Sequence, residues 1–186
     1  MKKEEVLSII EDEQFNNKIQ LDDIPEIDLY MDQVIQLFEG KLSGTKRNAE
    51  DKLLTKTMIN NYAKAKLLMS IKNKKYTKEH LILMSLIYEL KGVISINDIK
   101  CLVNNIVDKF EQNEEYDLRD LYSKYLDTTN KDNEIINKII EEKINNINED
   151  SFEDQFILIS SIISMSNLLK RVGEVLIDNC FRKEEE

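Results

Sequence analysis

The chain has 186 residues, enough for one globular domain or two small ones. Apolar residues make up 41% of it and charged residues 33%, with only 4 glycines and 1 proline, so helix breakers are scarce and a helical protein is expected. The start, MKKEEVLSII, lacks the continuous apolar run of a signal peptide, because acidic residues follow Ile10 directly. We therefore expect a cytoplasmic protein.

The net charge of −10 is unevenly distributed along the chain. Residues 41–100, here called the basic block, carry 13 Lys/Arg against 5 acidic residues, so the block is +8 and the remainder is −18. A basic block in an acidic protein favours a polyanionic partner, because contacts with phosphates release counterions. The alternative is that the acidic flanks fold against the block or shield it.

The N-terminal part predicts two helices and a polar connection. Residues 1–24 carry apolar residues among many charges and predict an acidic amphipathic helix or arm. Pro25 suits the first turn of a second helix over 25–42. Its apolar face would comprise Ile27, Tyr30, Met31, Val34, Leu37, Phe38 and Leu42. Residues 43–52 then form a polar connection that contains Gly44.

The stretch LTKTMINNYAKAKLL predicts a short amphipathic helix over 55–66 with Thr55 as its N-cap. Its polar face carries Lys56, Thr57, Asn60, Asn61 and Lys64. The next segment, 69–76, is too short for a helix and predicts a basic hairpin. Its candidate contact residues are Lys72, Lys74, Lys75 and Tyr76.

These two sets of residues have the chemistry for contacts with DNA. Asn can pair with adenine in a bidentate manner, and Lys neutralises phosphate. Tyr76 is expected to lie half in the core, with the other half donating to a phosphate. The alternative is an ordinary solvated helix face.

The remaining segments predict a helical C-terminal part. Thr77 and Gly92 mark the start and end of one helix, and Ser95 caps the next. Residues 114–128 and 131–148 predict two further helices, and a final helix covers 152–182.

Apolar residues of the final helix recur at intervals of 4, 3, 4, 3 and 4, which is typical of a heptad seam. This seam comprises Leu158, Ile162, Met165, Leu169, Val172 and Leu176. Whether it packs within the chain or in a homodimer stays open. The uncharged stretch 155–169 is shorter than the roughly 20 residues of a membrane span, so we expect a buried helix and no membrane association.

The sequence offers little catalytic chemistry. His80 is the only histidine and has no companion ligands for zinc, so a surface or partly buried role is predicted. Cys101 and Cys180 have no CxxC partner and are expected to be reduced thiols. The four glycines form no phosphate-binding loop, and adjacent acids diverge on a helix. No enzymatic activity, metal or cofactor is predicted.

Residues 54–102 resemble the DNA-binding module of the mercury-resistance regulator (MerR) family. Thr55 matches the Ser cap of that family's recognition helix, Tyr62 its second Tyr, and Lys64 the Arg that follows; Ile59, Leu67 and Leu68 match core positions. The pattern of residues 76–102 matches the end of the wing and the two helices beyond it. The resemblance implies a winged helix-turn-helix, although Thr57 and Asn60 replace family arginines and the wing is shorter.

A closer resemblance covers residues 24–105. The segments DLYMDQV, LTKTMINNY, KKYTKEH and SINDI are similar to an uncharacterised bacterial family named domain of unknown function 1836. This family implies no activity.

Together these features predict an all-α protein: a MerR-like winged helix-turn-helix with a small basic wing, then a C-terminal helical bundle with a long last helix. The predicted divisions are 1–24, an acidic helix or arm; 25–110, the DNA-binding domain; and 111–186, a regulatory or dimerisation region. The expected function is binding of double-stranded DNA as a transcriptional regulator, with the effector unspecified. The alternative is a protein-interaction adaptor that uses the acidic and apolar C-terminal helices.

Overall fold

The structure is a computed structural model that describes residues 2–12 and 16–182. The helices are α1 (Lys3–Glu11), α2 (Met31–Leu42), α3 (Lys56–Lys64), α4 (Lys78–Leu90), α5 (Ile96–Glu111), α6 (Leu118–Asn145) and α7 (Phe152–Cys180). Two short strands, β1 (Leu29–Tyr30) and β2 (Lys75–Tyr76), pair antiparallel. The prediction of a mainly helical protein is confirmed, with this minimal sheet added.

Helix α4 is the centre of the core. Its residues 80–87 are all buried, so the helix is covered on every side. It contacts α5, α6 and β2. The core continues through fully buried side chains of α2, α3, α5 and α6, such as Phe38, Ile59, Ile99 and Tyr122. Helix α4 thereby positions the hairpin segment through β2, whereas α3 packs on α2.

Helix α7 differs sharply from α4. Of its 29 residues only Leu158 and Ile177 are buried, so the prediction of a buried last helix is wrong. One side of α7 borders an apolar groove of about 640 Å³ against the ends of α4, α5 and α6. By length and composition alone α7 could cross a membrane, which is a weak indication for a single helix.

Three predicted boundaries are wrong. Helix α2 begins at Met31 and not at Pro25, because Leu29 and Tyr30 pair with β2, which leaves Ile27 and Tyr30 exposed. The two helices predicted over 114–148 are one helix, α6, since no Gly or Pro interrupts the polar stretch near Asn130. Helix α1 ends at residue 11, and residues 1, 13–15 and 183–186 of the predicted terminal divisions lie outside the described residues.

The other local predictions fare better. Ser95 caps α5, because its hydroxyl oxygen accepts from the backbone N–H of Asp98. The same hydroxyl donates to the Asp98 carboxylate. Cys101 and Cys180 are free thiols, as predicted.

Two buried tyrosines give opposite predictions for the same substitution. The Tyr122 hydroxyl donates to the Ile19 carbonyl at 2.7 Å, so Tyr122→Phe should lower the free energy of unfolding by about 1–2 kcal/mol. The buried Tyr62 hydroxyl has no partner among the described residues, so Tyr62→Phe should be neutral or stabilise by about 1 kcal/mol. Urea denaturation of both variants measures the difference, and equal effects would contradict it.

Candidate nucleic-acid interface

Helix α3 forms for local reasons. The Thr55 hydroxyl accepts from the Met58 backbone N–H at 3.1 Å, which confirms the predicted N-cap. The helix ends where the Leu67 N–H donates to the Tyr62 carbonyl at 2.9 Å and Lys66 takes a left-handed φ of 57°. This pattern is a Schellman motif with Lys where glycine is usual.

The exposed and buried faces of α3 match the predicted ones. Ile59 and Tyr62 are buried in the core. The predicted contact residues Lys56, Thr57, Asn60, Asn61 and Lys64 are all exposed. Helix α3 therefore presents a continuous row of amide, hydroxyl and ammonium groups to solvent.

The predicted basic hairpin forms a tight turn over 72–75. The Lys75 N–H donates to the Lys72 carbonyl at 3.0 Å, and the two central residues, Asn73 and Lys74, have φ values of 54° and 59°. Positive φ at both central positions is typical of a type I′ turn, which matches the twist of paired strands. The turn exposes Lys72 and Lys74, whereas Lys75 is half-buried.

Tyr76 is not available as predicted. Its residue surface is only 2% exposed, and its ring packs edge to face against His80 at a centroid distance of 5.9 Å. Burial also raises the pKa of its hydroxyl. The prediction that half of Tyr76 serves a phosphate contact is wrong, because pairing of β2 with β1 turns the side chain into the core.

His80 is 4% exposed, so it is buried more deeply than the predicted surface or partly buried position. Its Nδ1 accepts from the Thr77 backbone N–H at 3.2 Å, so Nε2 carries the proton and donates to the Met69 carbonyl at 3.2 Å. His80 thus links the start of the hairpin segment to the start of α4. Both ring nitrogens are bonded within the chain, which leaves neither as a catalytic base or metal ligand.

This histidine predicts a pH dependence of stability. Burial lowers the pKa of His80 below its ordinary value of 6.5, outweighing the nearby carboxylates of Glu79, Asp28 and Glu111. The stability that it contributes is therefore complete above pH 6.5 and is lost as the pH falls through the lowered pKa, at no more than about 1.4 kcal/mol per pH unit for one proton. Urea denaturation between pH 7.5 and 5 should show a shallower decline for His80→Gln than for the wild type. If the stability of both proteins declines equally with pH, His80 is not the source of the pH dependence.

The first turn of α2 brings α3 and the hairpin together. Asp32 pairs with Lys56 at the start of α3 (Oδ1 to Nζ, 2.7 Å), and the Tyr30 ring lies 5.5 Å from Lys75 Nζ in the hairpin. Both groups therefore belong to one surface. We call it the basic surface, and its members are Lys56, Thr57, Asn60, Asn61, Lys64, Lys66, Lys72, Lys74 and Lys75.

Sequence reasoning missed two residues here. Lys66 is exposed at the end of α3, and Tyr30 is 54% exposed beside the hairpin instead of on a helix face. The sequence carried no signal for this strand, because Leu29 and Tyr30 are both apolar and two residues are too few to show the alternation of a strand.

Acidic residues of the N-terminal flank neutralise part of the basic block, as the alternative reading of the charge expected. The pairs are Lys41 with Asp23, Lys46 with Glu39, Lys56 with Asp32 and Lys78 with Glu26. Lys91 is occupied too: it donates to the Leu53 carbonyl at 2.8 Å, and burial lowers its pKa. Within 2–12 and 16–182, in contrast, Lys64, Lys66, Lys72 and Lys74 form no ion pair.

The predicted heptad seam of α7 is only partly packed against the protein's own chain. Leu158 is buried and Ile162 is half-buried. Met165, Leu169 and Leu176 line the open groove, and Val172 is 50% exposed. Two of the six seam residues are therefore packed against the chain, and the other four are largely open to solvent.

Comparison with known proteins places the basic surface inside a recognised family segment. No curated protein and no solved structure matches the chain. The profile of the family described as Domain of unknown function (DUF1836) matches residues 19–125, which run from just before a short 3-10 helix (Leu21–Asp23) into α6 and include all of the basic surface. This match covers more than half of the chain and agrees with the resemblance in DLYMDQV, LTKTMINNY, KKYTKEH and SINDI. The protein belongs to the family described as Domain of unknown function (DUF1836).

Proposed function

We propose that the protein binds double-stranded DNA through its basic surface and acts as a transcriptional regulator in the cytoplasm. The observation that carries the proposal is a group of exposed lysines without ion pairs at the end of α3 and in the hairpin turn. Lys41, Lys46 and Lys78 pair with acids outside the basic surface, and Lys56 pairs with Asp32 at its edge, whereas Lys64, Lys66, Lys72 and Lys74 are exposed close together in sequence and have no ion pair among the described residues. Such lysines can contact the phosphates of DNA, and the exposed amides beside them can bind the edges of its bases.

The two parts of the surface take different roles in this proposal. Helix α3 enters the major groove, where Asn60 and Asn61 contact base edges and Lys64 contacts phosphate. The hairpin lies along the neighbouring backbone, where Lys72 and Lys74 neutralise phosphates. The order of α3, hairpin, α4 and α5 supports a MerR-like winged helix-turn-helix with a very short wing.

Backbone conformation adds support. Lys66 and Lys74 have φ values of 57° and 59°, where glycine would avoid a cost of about 1–2 kcal/mol. Non-glycine residues in such conformations cluster at functional sites. A retained positive charge at both positions accords with a contact to phosphate.

The test is fluorescence anisotropy of the full chain with labelled AT-rich duplexes. With four phosphates neutralised, the affinity should fall about a hundredfold between 50 and 200 mM salt. An absence of binding by folded protein at 50 mM salt would overturn the proposal.

The alternative function, a protein-interaction adaptor, is favoured by one observation. Helix α7 is apolar and largely exposed, which is unusual for a monomer. If the protein is an adaptor, its basic block serves only as a partner for acidic residues. The anisotropy of the labelled duplexes should then not change when the protein is added, at any salt concentration.

A further inference from the structure

The groove beside α7 is built from four helices. It has a volume of about 640 Å³ and is lined by the ends of α4 and α6, by α5 and by α7. Thirteen of its eighteen described lining residues are apolar, and Phe181 is the only aromatic one among them. Ligand pockets in proteins typically measure about 300–1,000 Å³ and are mostly apolar. The groove therefore has the size and the lining of a small-molecule site.

The groove is long and narrow. Ile162 and Ile177 both line it and lie 15 residues apart on α7, which is about 22 Å along the helix axis. Dividing 640 Å³ by this length gives a mean cross-section of roughly 30 Å². An α-helix with its side chains is about 10–12 Å across and would need roughly 80–110 Å². A single hydrocarbon chain therefore fits the groove better than a second helix does.

Gly173 leaves room in the wall of the groove. It lies in the interior of α7, where glycine is less favourable than alanine because it loses more backbone freedom on folding. A Cβ atom at this position would meet no described atom within 4 Å outside its own stretch of helix. A larger side chain could therefore stand there without a clash, but it would take up space in the groove.

The charged residues of the groove favour an anionic head group. Lys143 and Lys170 line it, and Glu89 is the one acid among its described lining residues. Burial raises the pKa of Glu89, which disfavours the charged form of this acid. Lys170 pairs with Glu174 at 3.7 Å. Half-buried Lys143, in contrast, has no ion pair with any described residue, and its Nζ donates to the Ser161 hydroxyl at 2.8 Å.

We propose that the groove binds a long-chain fatty acid, with its carboxylate at Lys143 and its hydrocarbon chain along α7 toward Phe181. The bond between Lys143 and Ser161 places the cation next to Ile162, whereas Phe181 follows the last residue of α7. Head group and chain end thus lie at opposite ends of the groove. At about 1.2 Å per bond, an extended chain of sixteen carbons spans about 18 Å, which fits along it. No residue of the basic surface takes part, so this site is independent of DNA binding.

Isothermal titration calorimetry of the full chain tests the site with dodecanoate and 1-dodecanol, both below the concentrations at which they aggregate. One dodecanoate is expected to bind per chain, more tightly than the alcohol of the same length. Hexadecanoate should bind more tightly still, by up to about fourfold for each added methylene that is buried. A wild type that binds none of the three overturns the proposal.

Two substitutions separate the head group from the chain. Lys143→Met keeps an unbranched side chain and removes the charge, so it should weaken dodecanoate binding about tenfold and leave 1-dodecanol binding unchanged. Gly173→Leu fills the groove and should weaken both ligands by at least about tenfold. If Lys143→Met weakens the alcohol equally, Lys143 only maintains the shape of the groove, which overturns its role at the carboxylate.

Matched controls make the same changes away from the groove. Lys131→Met replaces an exposed lysine of α6, and Gly40→Leu replaces a glycine of α2 whose Cβ would also meet no described atom within 4 Å. Both should bind dodecanoate like the wild type, and circular dichroism checks that every variant is folded. Binding that Gly173→Leu leaves unchanged, or uptake of many molecules per chain, overturns the proposal.

Two measurements name the occupant if the wild type takes up no fatty acid. Sedimentation velocity would show a second copy of the chain at the groove, and flotation with phosphatidylcholine vesicles would show a bilayer surface. DNA anisotropy of Gly173→Leu should match that of the wild type, because the basic surface is unchanged. A loss of fatty-acid binding is thereby distinguished from a loss of DNA binding.

Discussion

Replacing Lys64 and Lys74 with glutamate is expected to weaken DNA binding strongly and to lower its salt dependence while the protein stays folded. Both side chains are exposed and form no ion pair within the described part of the chain, so the fold loses no contact. Each reversal removes one phosphate contact and adds repulsion. The salt slope should fall by about 2, and the affinity at 100 mM salt should fall by at least about a hundredfold. Anisotropy with the same duplexes at two salt concentrations measures both quantities.

The matched control is Lys131→Glu with Lys138→Glu, two exposed lysines of α6 that undergo the same charge change. If this control loses as much affinity, binding depends on net charge and not on the basic surface. A further variant, Lys74→Gly, separates folding from binding. It should be more stable, because it relieves a positive φ, and yet bind DNA more weakly.

Replacing Leu83 with alanine should cost about 2–5 kcal/mol of unfolding free energy. Leu83 is 0% exposed at the centre of α4, whose residues 80–87 are buried on all sides. Neighbouring side chains belong to several helices and cannot collapse around the space together, so the cavity term adds to the lost transfer free energy.

Leu169→Ala makes the same chemical change on α7, where Leu169 is 63% exposed. It should cost about 0.5 kcal/mol or less, because little apolar surface is removed from water there. Urea denaturation of both variants, at equal protein concentration, measures the contrast. If both variants lose the same unfolding free energy, Leu169 must be buried in solution, which would mean that the groove beside α7 is filled.

Much of the candidate site was predictable because it depends on neighbours in sequence. Thr55 caps α3 through a contact three residues away, and the spacing of Ile59 and Tyr62 sets the buried face. The polar face of α3 follows as its complement. The hairpin was likewise indicated by a short segment of turn-forming and basic residues between two helices.

Other features of the site could not be read from spacing. Tyr30 seemed to belong to a helix face, but pairing with Lys75, 45 positions further on, makes it an exposed strand residue. The same pairing buries Tyr76. Which lysines of the basic block remain unpaired depends on Asp23, Glu26, Asp32 and Glu39, acids that lie far from most of their partners in the sequence.

The sequence by itself determined the helical class, the N-caps of α3, α4 and α5, the polar face of α3 and the apolar character of α7, because each depends on contacts within about one helical turn or on composition. The tertiary structure alone decided which apolar helix is the core. Helices α4 and α7 are both strongly apolar, yet α4 is surrounded and α7 is docked along one side. Whether an apolar helix is buried depends on how many other elements pack around it, and this is decided only when the whole chain has folded.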